Sequence, residues 1–233
     1  MSERTTTRHR NPVGVTPEAV IAAALTLLDE VGPRAFTMRA LAARLGTYAN
    51  TIYWHVGGRD RVLALAVSRV LADIVVPDPG TLPARAWLET VAHRYRRIHH
   101  AHPNVAPLTG SFLLASPPAV ALLEQVLTVL ESMGFQGEAL VDAYNAFVGS
   151  LVGWVALELA TEPDDDGDWR AAYEATIRDL PPKEFPTITR NVDLLADQAF
   201  ALRWHSGTSH PMDHAFQTTL TLWLDALEQA PPT

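Results

Sequence analysis

The chain has 233 residues, of which 48% are hydrophobic and 19% are charged, and it contains no cysteine. This composition is typical of a globular protein with a buried core, and it excludes disulfides, cysteine-ligated zinc and cysteine nucleophiles. The formal net charge of −8 argues against nucleic-acid binding by the chain as a whole.

The charge is divided unevenly along the sequence. Residues 1–75 hold nine arginines and six acidic residues, a net charge of +3, whereas residues 76–233 carry a net charge of −11. Because attraction to phosphate is local, the basic N-terminal part decides whether the chain binds nucleic acid. The polar start of the chain lacks the apolar segment of a signal peptide, and no apolar run approaches the ~20 residues of a membrane span. The sequence therefore predicts a cytoplasmic protein with no membrane partner.

Residues 1–15 are interpreted as a flexible basic arm. Its Arg4, Arg8 and Arg10 either contact phosphates or a minor groove, or belong to a solubilising tail.

Four short helices are predicted for residues 16–75. The first begins at Thr16-Pro17-Glu18, which supplies an N-cap hydroxyl, a proline in the first turn and an acid near the positive end of the helix dipole. It ends at Gly32-Pro33. The other three begin at Thr37 (the N-cap), near Ala49 and near Arg59.

The second and third predicted helices fit a helix-turn-helix. That motif needs a small residue where the helices cross, a glycine in the turn, and an apolar residue that points back from the second helix. Ala42, Gly46 and Ile52 supply these three at the required offsets.

The rest of the chain is predicted to be helical as well. Pro77, Pro79 and Pro83 interrupt the pattern and place a domain boundary at residues 76–83. Apolar periodicity predicts a domain over residues 84–229, with helices at 84–101, 117–133, 137–161, 188–206 and 211–229. A broken helix is expected at 103–115, and a loop at 162–187 with one helical turn around Trp169 to Ile177. No strand is predicted, so the fold class is all-α.

Residues 16–75 resemble the N-terminal domain of TetR-family transcriptional regulators. The resemblance rests on these segments: Leu27-Leu28 with Gly32, Thr37-Met38-Arg39-Ala40-Leu41-Ala42, Leu45-Gly46, Thr51-Ile52-Tyr53-Trp54-His55-Val56, and Arg59. The run Tyr53-Trp54-His55-Val56 is similar to the tetracycline-repressor branch. The resemblance implies an N-terminal three-helix helix-turn-helix domain followed by a C-terminal helical bundle that binds a ligand and dimerises.

The third predicted helix is the recognition helix of the motif. Its start is expected to contact the bases of double-stranded operator DNA. Asn50 suits a bidentate contact to adenine, and the methyl groups of Ala49 and Thr51 suit thymine methyls. Arg39 resembles the family position that reaches a guanine. Tyr48 stands where relatives often have Ser or Thr as a cap, and tyrosine cannot cap in that way. Either Asn50 or water satisfies the free amides, or Tyr48 contacts DNA.

Other residues of the motif are expected to contact the DNA backbone. Tyr53, His55 and Arg59 are placed for phosphates, which fix the register without reading sequence. Trp54 either packs inside the small domain or contacts the backbone.

The C-terminal domain is expected to hold a ligand pocket and a dimer interface, both implied by the resemblance. The alternative for every pocket candidate is core packing. The candidates are Tyr95, His99, Phe112, Leu127, Tyr144, Phe147 and Trp154. Such a pocket suits a mostly apolar or aromatic small molecule held by a few polar groups. The helices at about 138–160 and 211–229 are apolar on nearly all sides, which favours a four-helix homodimer interface over plain core.

No metal or cofactor is predicted. His93, His99, His100 and His102 lie close together but are not expected to complete a metal site. The acidic stretch 162–167 is similar to a calcium loop, but Glu174 lies one position too late to close it.

The sequence thus favours a ligand-responsive transcriptional regulator, a repressor released from its operator by a small molecule. Two alternatives stay open. One is a DNA-binding regulator without an effector, and the other is a helical-bundle enzyme with an attached DNA-binding domain, for which no nucleophile elbow, phosphate loop or metal quartet is found.

Overall fold

The structure is a computed structural model, and it describes residues 15–112, 116–162 and 168–230. The predicted arm lies outside the described residues except for Val15. Helices and turns make up the described part of the chain, with no strand in it, which confirms the all-α class. The chain divides into two compact units, Met1–Arg69 and Val70–Thr233. The division falls inside a helix, a few residues before the predicted proline-rich boundary.

The first unit contains four helices. They are α1 (Pro17–Ala35), α2 (Met38–Arg44), α3 (Ala49–His55) and α4 (Arg59–Ala72), whose last residues enter the second unit. The predicted caps are present, because the hydroxyl of Thr16 accepts from Ala19 N at 3.2 Å and that of Thr37 accepts from Ala40 N at 3.1 Å. Gly32 breaks α1 with φ 70° and ψ 169°, as the Gly-Pro pair predicts.

A small apolar core holds these helices together. Burial of each large apolar side chain stabilises the unit by roughly 1.5–3 kcal/mol relative to exposure. The core residues are Val20, Ala24, Leu27, Leu28, Phe36, Met38, Leu41, Ala42, Ile52, Val56, Val62, Leu63, Ala66 and Val67.

The second unit is a larger helical bundle. Its helices are α5 (Ala84–Ala101), α6 (Ala106–Thr109), α7 (Pro117–Ser132), α8 (Gly137–Glu158), α9 (Trp169–Arg178), α10 (Pro186–Arg190), α11 (Val192–Leu195) and α12 (Asp213–Gln229), with 3₁₀ turns at Pro103–Val105 and Phe200–Leu202. The four long helices α5, α7, α8 and α12 match the predicted segments. Their inward faces form one core around Trp87, Leu130, Phe147 and Phe216.

The predicted helix at 188–206 is wrong. The structure has two short helices and a 3₁₀ turn there, because the chain reverses at Asp197, which has φ 57°. One carboxylate oxygen of Asp197, Oδ1, accepts from Trp204 N at 3.1 Å and from His205 N at 3.0 Å. These bonds to its own downstream backbone replace the helical bonds that the periodicity suggested.

The helix predicted around residues 169–177 is longer than expected. Instead of one turn, α9 is a helix of 10 residues, and its N-cap Asp168 accepts from Ala171 N at 3.3 Å.

Among the described helices, α8 is long and apolar enough to cross a membrane. Phe147 and Leu151 on one side of it are buried in the core of the second unit, and the core helix of a soluble protein can have the same composition. The opposite side is exposed and carries Ala146, Gly149 and Gly153.

Candidate functional site

The turn between α2 and α3 has the geometry of a helix-turn-helix. Ala42 and Ile52 are buried where the two helices pack, as predicted. Gly46 has φ 63°, and no atom lies within 4 Å of the position that a Cβ would occupy. The glycine is therefore required by the left-handed backbone and not by lack of space. Thr47 N donates to the Ala42 carbonyl at 3.0 Å and closes the turn.

One face of α3 is exposed. Because Ile52 points into the core, the residues two before it and one and two after it point away from the unit. Asn50 and Trp54 lie one helical turn apart on this face, with Tyr53 beside them. The side chain of Trp54 is 82% exposed and that of Tyr53 is 49% exposed.

Trp54 does not pack inside the domain. Its ring meets the edge of the His55 ring at 4.7 Å between centroids and is otherwise open to solvent. Of the two alternatives from the sequence, internal packing is therefore excluded. An exposed tryptophan beside an exposed tyrosine presents a large apolar area that this unit alone leaves uncovered.

Tyr48 is the N-cap residue of α3 by backbone geometry, with φ −100° and ψ 147°, but its side chain forms no capping hydrogen bond. The ring is 82% exposed. Tyr48 thus neither caps nor packs. In the described part of the chain, the side-chain oxygen of Asn50 accepts no hydrogen bond from the free amides either, so these amides are left to solvent or to a partner.

The remaining residues predicted to contact DNA differ in the exposure of their side chains. Arg39 is exposed and forms no ion pair or hydrogen bond with another described residue. Ala49, Thr51 and His55 are half-buried.

Arg59 is already engaged within the first unit. Its guanidinium donates to the Pro33 carbonyl at 2.6 Å and to the Phe36 carbonyl at 3.3 Å, and it lies 6.0 Å from the centre of the Phe36 ring. It also faces Asp60 at 3.5 Å. These contacts fasten the start of α4 to the end of α1. The predicted phosphate contact of Arg59 stays a prediction, and it competes with this structural role.

An arginine that the sequence did not single out also ties the unit together. Arg44 on α2 forms a two-pronged ion pair with Glu30 on α1, at 2.6 and 2.5 Å. This pairing raises the pKa of Arg44 and lowers that of Glu30. The two residues are 14 positions apart, so no helical spacing signalled the pair.

In the second unit, two predicted ligand residues belong to a buried polar group on α5. His99 Nδ1 lies 2.9 Å from the Tyr95 carbonyl, and His99 Nε2 lies 3.1 Å from the hydroxyl of Thr109. The rings of His99 and Tyr95 are 4.2 Å apart. Burial lowers the pKa of His99 to about 4, so the imidazole is neutral near pH 7. Burial also raises the pKa of the Tyr95 hydroxyl.

The other predicted ligand residues are spread over the second unit, and only some of them lie in or against the core cluster that contains Tyr95. Phe147 is buried in the same core cluster as Tyr95, and Tyr144 packs against that cluster. Trp154 lies with Phe200 at 4.8 Å and with Trp223 at 6.4 Å between ring centroids, so it belongs to an aromatic group beside α12. Leu127 and Phe112 are half-buried, and Phe112 directly precedes residues that the structure does not describe.

A buried ion network links three helices of the second unit. Glu158, at the end of α8, is fully buried. Arg96 of α5 donates to its two carboxylate oxygens at 2.9 and 2.7 Å, and Arg96 also pairs with Asp213 of α12 at 2.7 Å. Met212 N donates to Glu158 Oε1 at 3.0 Å. Burial alone would raise the pKa of Glu158, but hydrogen bonds led by that from Arg96 outweigh it and bring the pKa to about 2.

The backbone around Glu158 is equally constrained. Gly207 N donates to the Glu158 carbonyl at 2.8 Å, and a Cβ on Gly207 would lie 2.5 Å from Glu158 Cγ. Only glycine permits this approach. No local pattern in the sequence signals the network, because its partners are 54 and 62 positions apart.

Comparison with known proteins covers both units. Residues 20–65 match the family model "Bacterial regulatory proteins, tetR family", and residues 76–230 match "Tetracyclin repressor-like, C-terminal domain". An HTH-type transcriptional regulator of Saccharopolyspora erythraea is 33% identical over 178 residues, which cover 76% of this chain and 75% of the relative. The HTH-type transcriptional repressor DrrR1 of Streptomyces coeruleorubidus is 29% identical, over 75% of this chain and 67% of the relative.

The fold is also similar to that of solved structures. ActR from Streptomyces coelicolor, in complex with actinorhodin, superposes with a TM-score of 0.74 at 23% identity, over 92% of this chain and 97% of ActR. At this level of identity the likeness concerns the fold.

Proposed function

The chain belongs to the TetR family of bacterial regulatory proteins, and from this membership we propose that it is a transcriptional repressor which a small, mostly apolar molecule releases from its operator. The observation that carries the proposal is the exposed face of α3. Asn50, Tyr53 and Trp54 are exposed there, and within the described residues no hydrogen bond or ion pair holds their side chains.

We assign base recognition to the N-terminal half of this face. The amide of Asn50 suits adenine, and the methyls of Ala49 and Thr51 suit thymine. The exposed ring of Tyr48 is assigned a direct DNA contact, since it neither caps α3 nor packs. Arg39, which pairs with no other described residue, is assigned to a guanine. Tyr53, Trp54, His55 and the remaining donors of Arg59 are assigned to the DNA backbone, where they would fix the register.

A homodimer would place two such faces on one operator. The exposed sides of α8 and α12 suit the interface, because both are apolar or small at helical spacing. On α8 these residues are Ala146, Gly149, Gly153 and Leu157, and on α12 they are Thr218, Leu222 and Ala226. Leu222 is 63% exposed in the single chain. A two-fold dimer suits half-sites about 34–36 Å apart.

We propose that the effector binds between α5 and the helices around it. Tyr95, Tyr144 and Phe147 would supply aromatic and apolar surface, with Phe112, Leu127 and Trp154 as further candidates. The hydroxyls of Tyr95 and Thr109 would supply a few oriented polar contacts, and neutral His99 would orient the Thr109 hydroxyl through their hydrogen bond. ActR bound to actinorhodin has a similar fold, so actinorhodin is a reasonable first compound to test.

The Arg96–Glu158 network offers a route from the effector to the dimer. Arg96 lies one residue after Tyr95 and contacts both α8 and α12. A shift of α5 would therefore displace both helices of the proposed interface. The chain passes between the two units within α4. To release DNA, the effector must prefer the arrangement in which the two recognition helices have the wrong spacing.

The protein is proposed to act in the cytoplasm, where it meets DNA, and no residue is assigned a catalytic role. Conversion of a bound effector into a product would favour the helical-bundle enzyme instead.

A gel-shift experiment tests DNA binding. The full chain is titrated onto the DNA upstream of its own gene and onto a shuffled fragment of equal length. The proposal predicts a shift of the upstream fragment alone that weakens with salt, and equal shifts of both fragments would contradict it.

A second experiment tests the effector. Actinorhodin and other aromatic compounds are screened for a rise in melting temperature and for release of the bound fragment. A compound that does both supports the proposal. A protein that binds DNA specifically but responds to none of them would favour the effector-independent regulator.

The dimer has its own test. Leu222→Glu places a charge in the proposed interface and should halve the mass in analytical ultracentrifugation, whereas Leu194→Glu, at another exposed leucine of the second unit, should leave the mass unchanged. A dimer that survives Leu222→Glu would exclude α12 from the interface.

A further inference from the structure

Three metal-ligating side chains meet between α11 and α12. The donor atoms of Asp197, His205 and His210 all lie within 4.8 Å of one another. Asp197 and His205 are half-buried, and His210 is exposed. None of these residues takes part in the proposed DNA contacts or in the proposed effector pocket.

The carboxylate of Asp197 is held in one place. Its Oδ1 accepts the two backbone amides of Trp204 and His205, and its Oδ2 lies 2.9 Å from His205 Nδ1. The backbone of Asp197 has φ 57°, a conformation that few residues other than glycine adopt. The chain reversal therefore presents a fixed oxygen and a fixed imidazole side by side.

His210 completes the cluster. Its ring lies against that of His205, with 4.1 Å between centroids and 35° between planes. The only hydrogen bond of the His210 side chain within the described residues is a 3.3 Å contact with the Ser209 hydroxyl. Since the side chain is exposed, it has freedom to turn towards a shared ligand.

The donor types fit a zinc ion, and one donor separation lies near the value that such a site needs. In a tetrahedral site with bonds of about 2.0–2.1 Å, neighbouring donor atoms lie about 3.4 Å apart. The separation of 2.9 Å between Asp197 Oδ2 and His205 Nδ1 differs from that value by about 0.5 Å. Two imidazoles and one carboxylate suit Zn²⁺, whereas Mg²⁺ and Ca²⁺ prefer oxygen donors.

We propose that Asp197, His205 and His210 bind one Zn²⁺ ion, with water in the fourth position. The competing account is a hydrogen-bonded turn without a metal. That turn needs Asp197 and His205 but uses His210 for no more than its ring contact with His205, so the two accounts differ in what His210 does.

The segment that would hold the ion is joined to the rest of the second unit at several points. Arg203 donates to the Glu158 carbonyl at 3.2 Å and to the His205 carbonyl at 2.9 Å. Ser206 N donates to Glu162 Oε1 at 3.1 Å. Zinc would thus stabilise the connection that leads from the end of α8 to the start of α12.

Zinc titration of the full chain tests the proposal. The protein is treated with a chelator, dialysed, and titrated with ZnCl₂ at pH 7.5 in competition with a chromophoric zinc indicator. We expect one Zn²⁺ per chain, and affinity weakened at least tenfold in His205→Gln and in His210→Gln. His214→Gln, which removes an exposed histidine of α12 outside the cluster, should bind like the wild type. MgCl₂ should not compete.

Melting temperature gives an independent measurement. Zinc should raise it for the wild type and for His214→Gln but not for His210→Gln, because a ligand stabilises only the fold that binds it. The metal-free melting temperature of His210→Gln should equal that of the wild type, since the residue is exposed. Equal zinc affinity in wild type and His210→Gln, or no binding by the wild type, would overturn the proposal.

Discussion

The exposed face of α3 in the first unit and the buried groups of the second unit use polar residues in opposite ways. In the first unit, the polar and aromatic side chains of α3 point outwards and leave their hydrogen-bonding capacity and apolar area unused. In the second unit, charged and polar groups such as Glu158 and His99 are buried and satisfied by partners within the unit. The first unit is thus built to meet a partner on its surface, and the second to hold its own helices in a defined arrangement. This division suits a protein in which one part reads DNA and the other controls the reading.

The largest expected effect comes from a substitution that breaks the buried ion network of the second unit. Arg96→Ala would leave Glu158 buried without its main partner, and loss of one member of a buried pair costs about 3–5 kcal/mol. We expect a loss of this size in the free energy of unfolding measured with urea. Arg97→Ala, at the next position on α5, is the control. Arg97 is exposed, and its substitution should change the value by less than about 0.5 kcal/mol. Similar losses in both variants would show that the network contributes little.

The corresponding change in the first unit should affect binding and not folding. Asn50→Ala removes the proposed adenine contact, so we expect affinity for the operator to fall by about 1–3 kcal/mol. The melting temperature should stay unchanged because the side chain is exposed. Gln198→Ala, at an exposed amide of the second unit, serves as the control and should leave affinity intact. Unchanged affinity in Asn50→Ala would show that Asn50 does not contact the operator bases.

Acid should weaken the second unit through His99. The folded pKa is depressed to about 4 by burial, below the unfolded value of 6.5. The unfolded chain therefore binds the proton first, and stability is lost as the pH falls from 6.5 towards 4. Between pH 7 and pH 5 the contribution is about 2 kcal/mol. His99→Gln, which keeps hydrogen-bonding atoms without the titration, should flatten the pH dependence of urea unfolding. An equally steep dependence in the variant would assign the effect to other groups.

The smallest effect concerns the turn of the first unit. Gly46 has φ 63° with open space around its Cα, so Gly46→Ala should cost about 1–2 kcal/mol from backbone strain alone. Gly110 also has open space but φ −87°, and Gly110→Ala should be near neutral. Thermal unfolding distinguishes them. If both variants melt alike, strain at the turn is not what requires Gly46.

The contrast between the units also explains which features were predictable from sequence. The caps Thr16 and Thr37, the turn glycine and the buried Ile52 depend on neighbours within a few positions, so local patterns were enough. The exposure of Trp54 was not decided by spacing, because an aromatic residue beside a buried one fits either inward or outward packing. The structure settles it as exposed.

Longer-range pairing accounts for what was missed. The Glu158 network joins residues 54 and 62 positions apart, and the Arg44–Glu30 pair spans 14. The false helix at 188–206 has a related cause. Its apolar spacing was compatible with a helix, but the carboxylate of Asp197 bonds the backbone seven and eight residues ahead and reverses the chain. Helix propensity and apolar periodicity depend on local sequence alone, so they do not predict such contacts.

The most direct test of the central claim is the affinity of the full chain for labelled upstream DNA, measured by fluorescence anisotropy over a range of salt concentrations. The account predicts binding at least about 10³-fold tighter than to shuffled DNA, with log affinity falling linearly with log salt. The double variant Asn50→Ala, Trp54→Ala should bind both sequences more weakly, through loss of the Trp54 contact, and should lose part of the preference, through loss of Asn50, while it keeps the wild-type melting temperature. Equal affinity for both sequences, or full specificity in the double variant, would contradict the claim that the exposed face of α3 reads the operator.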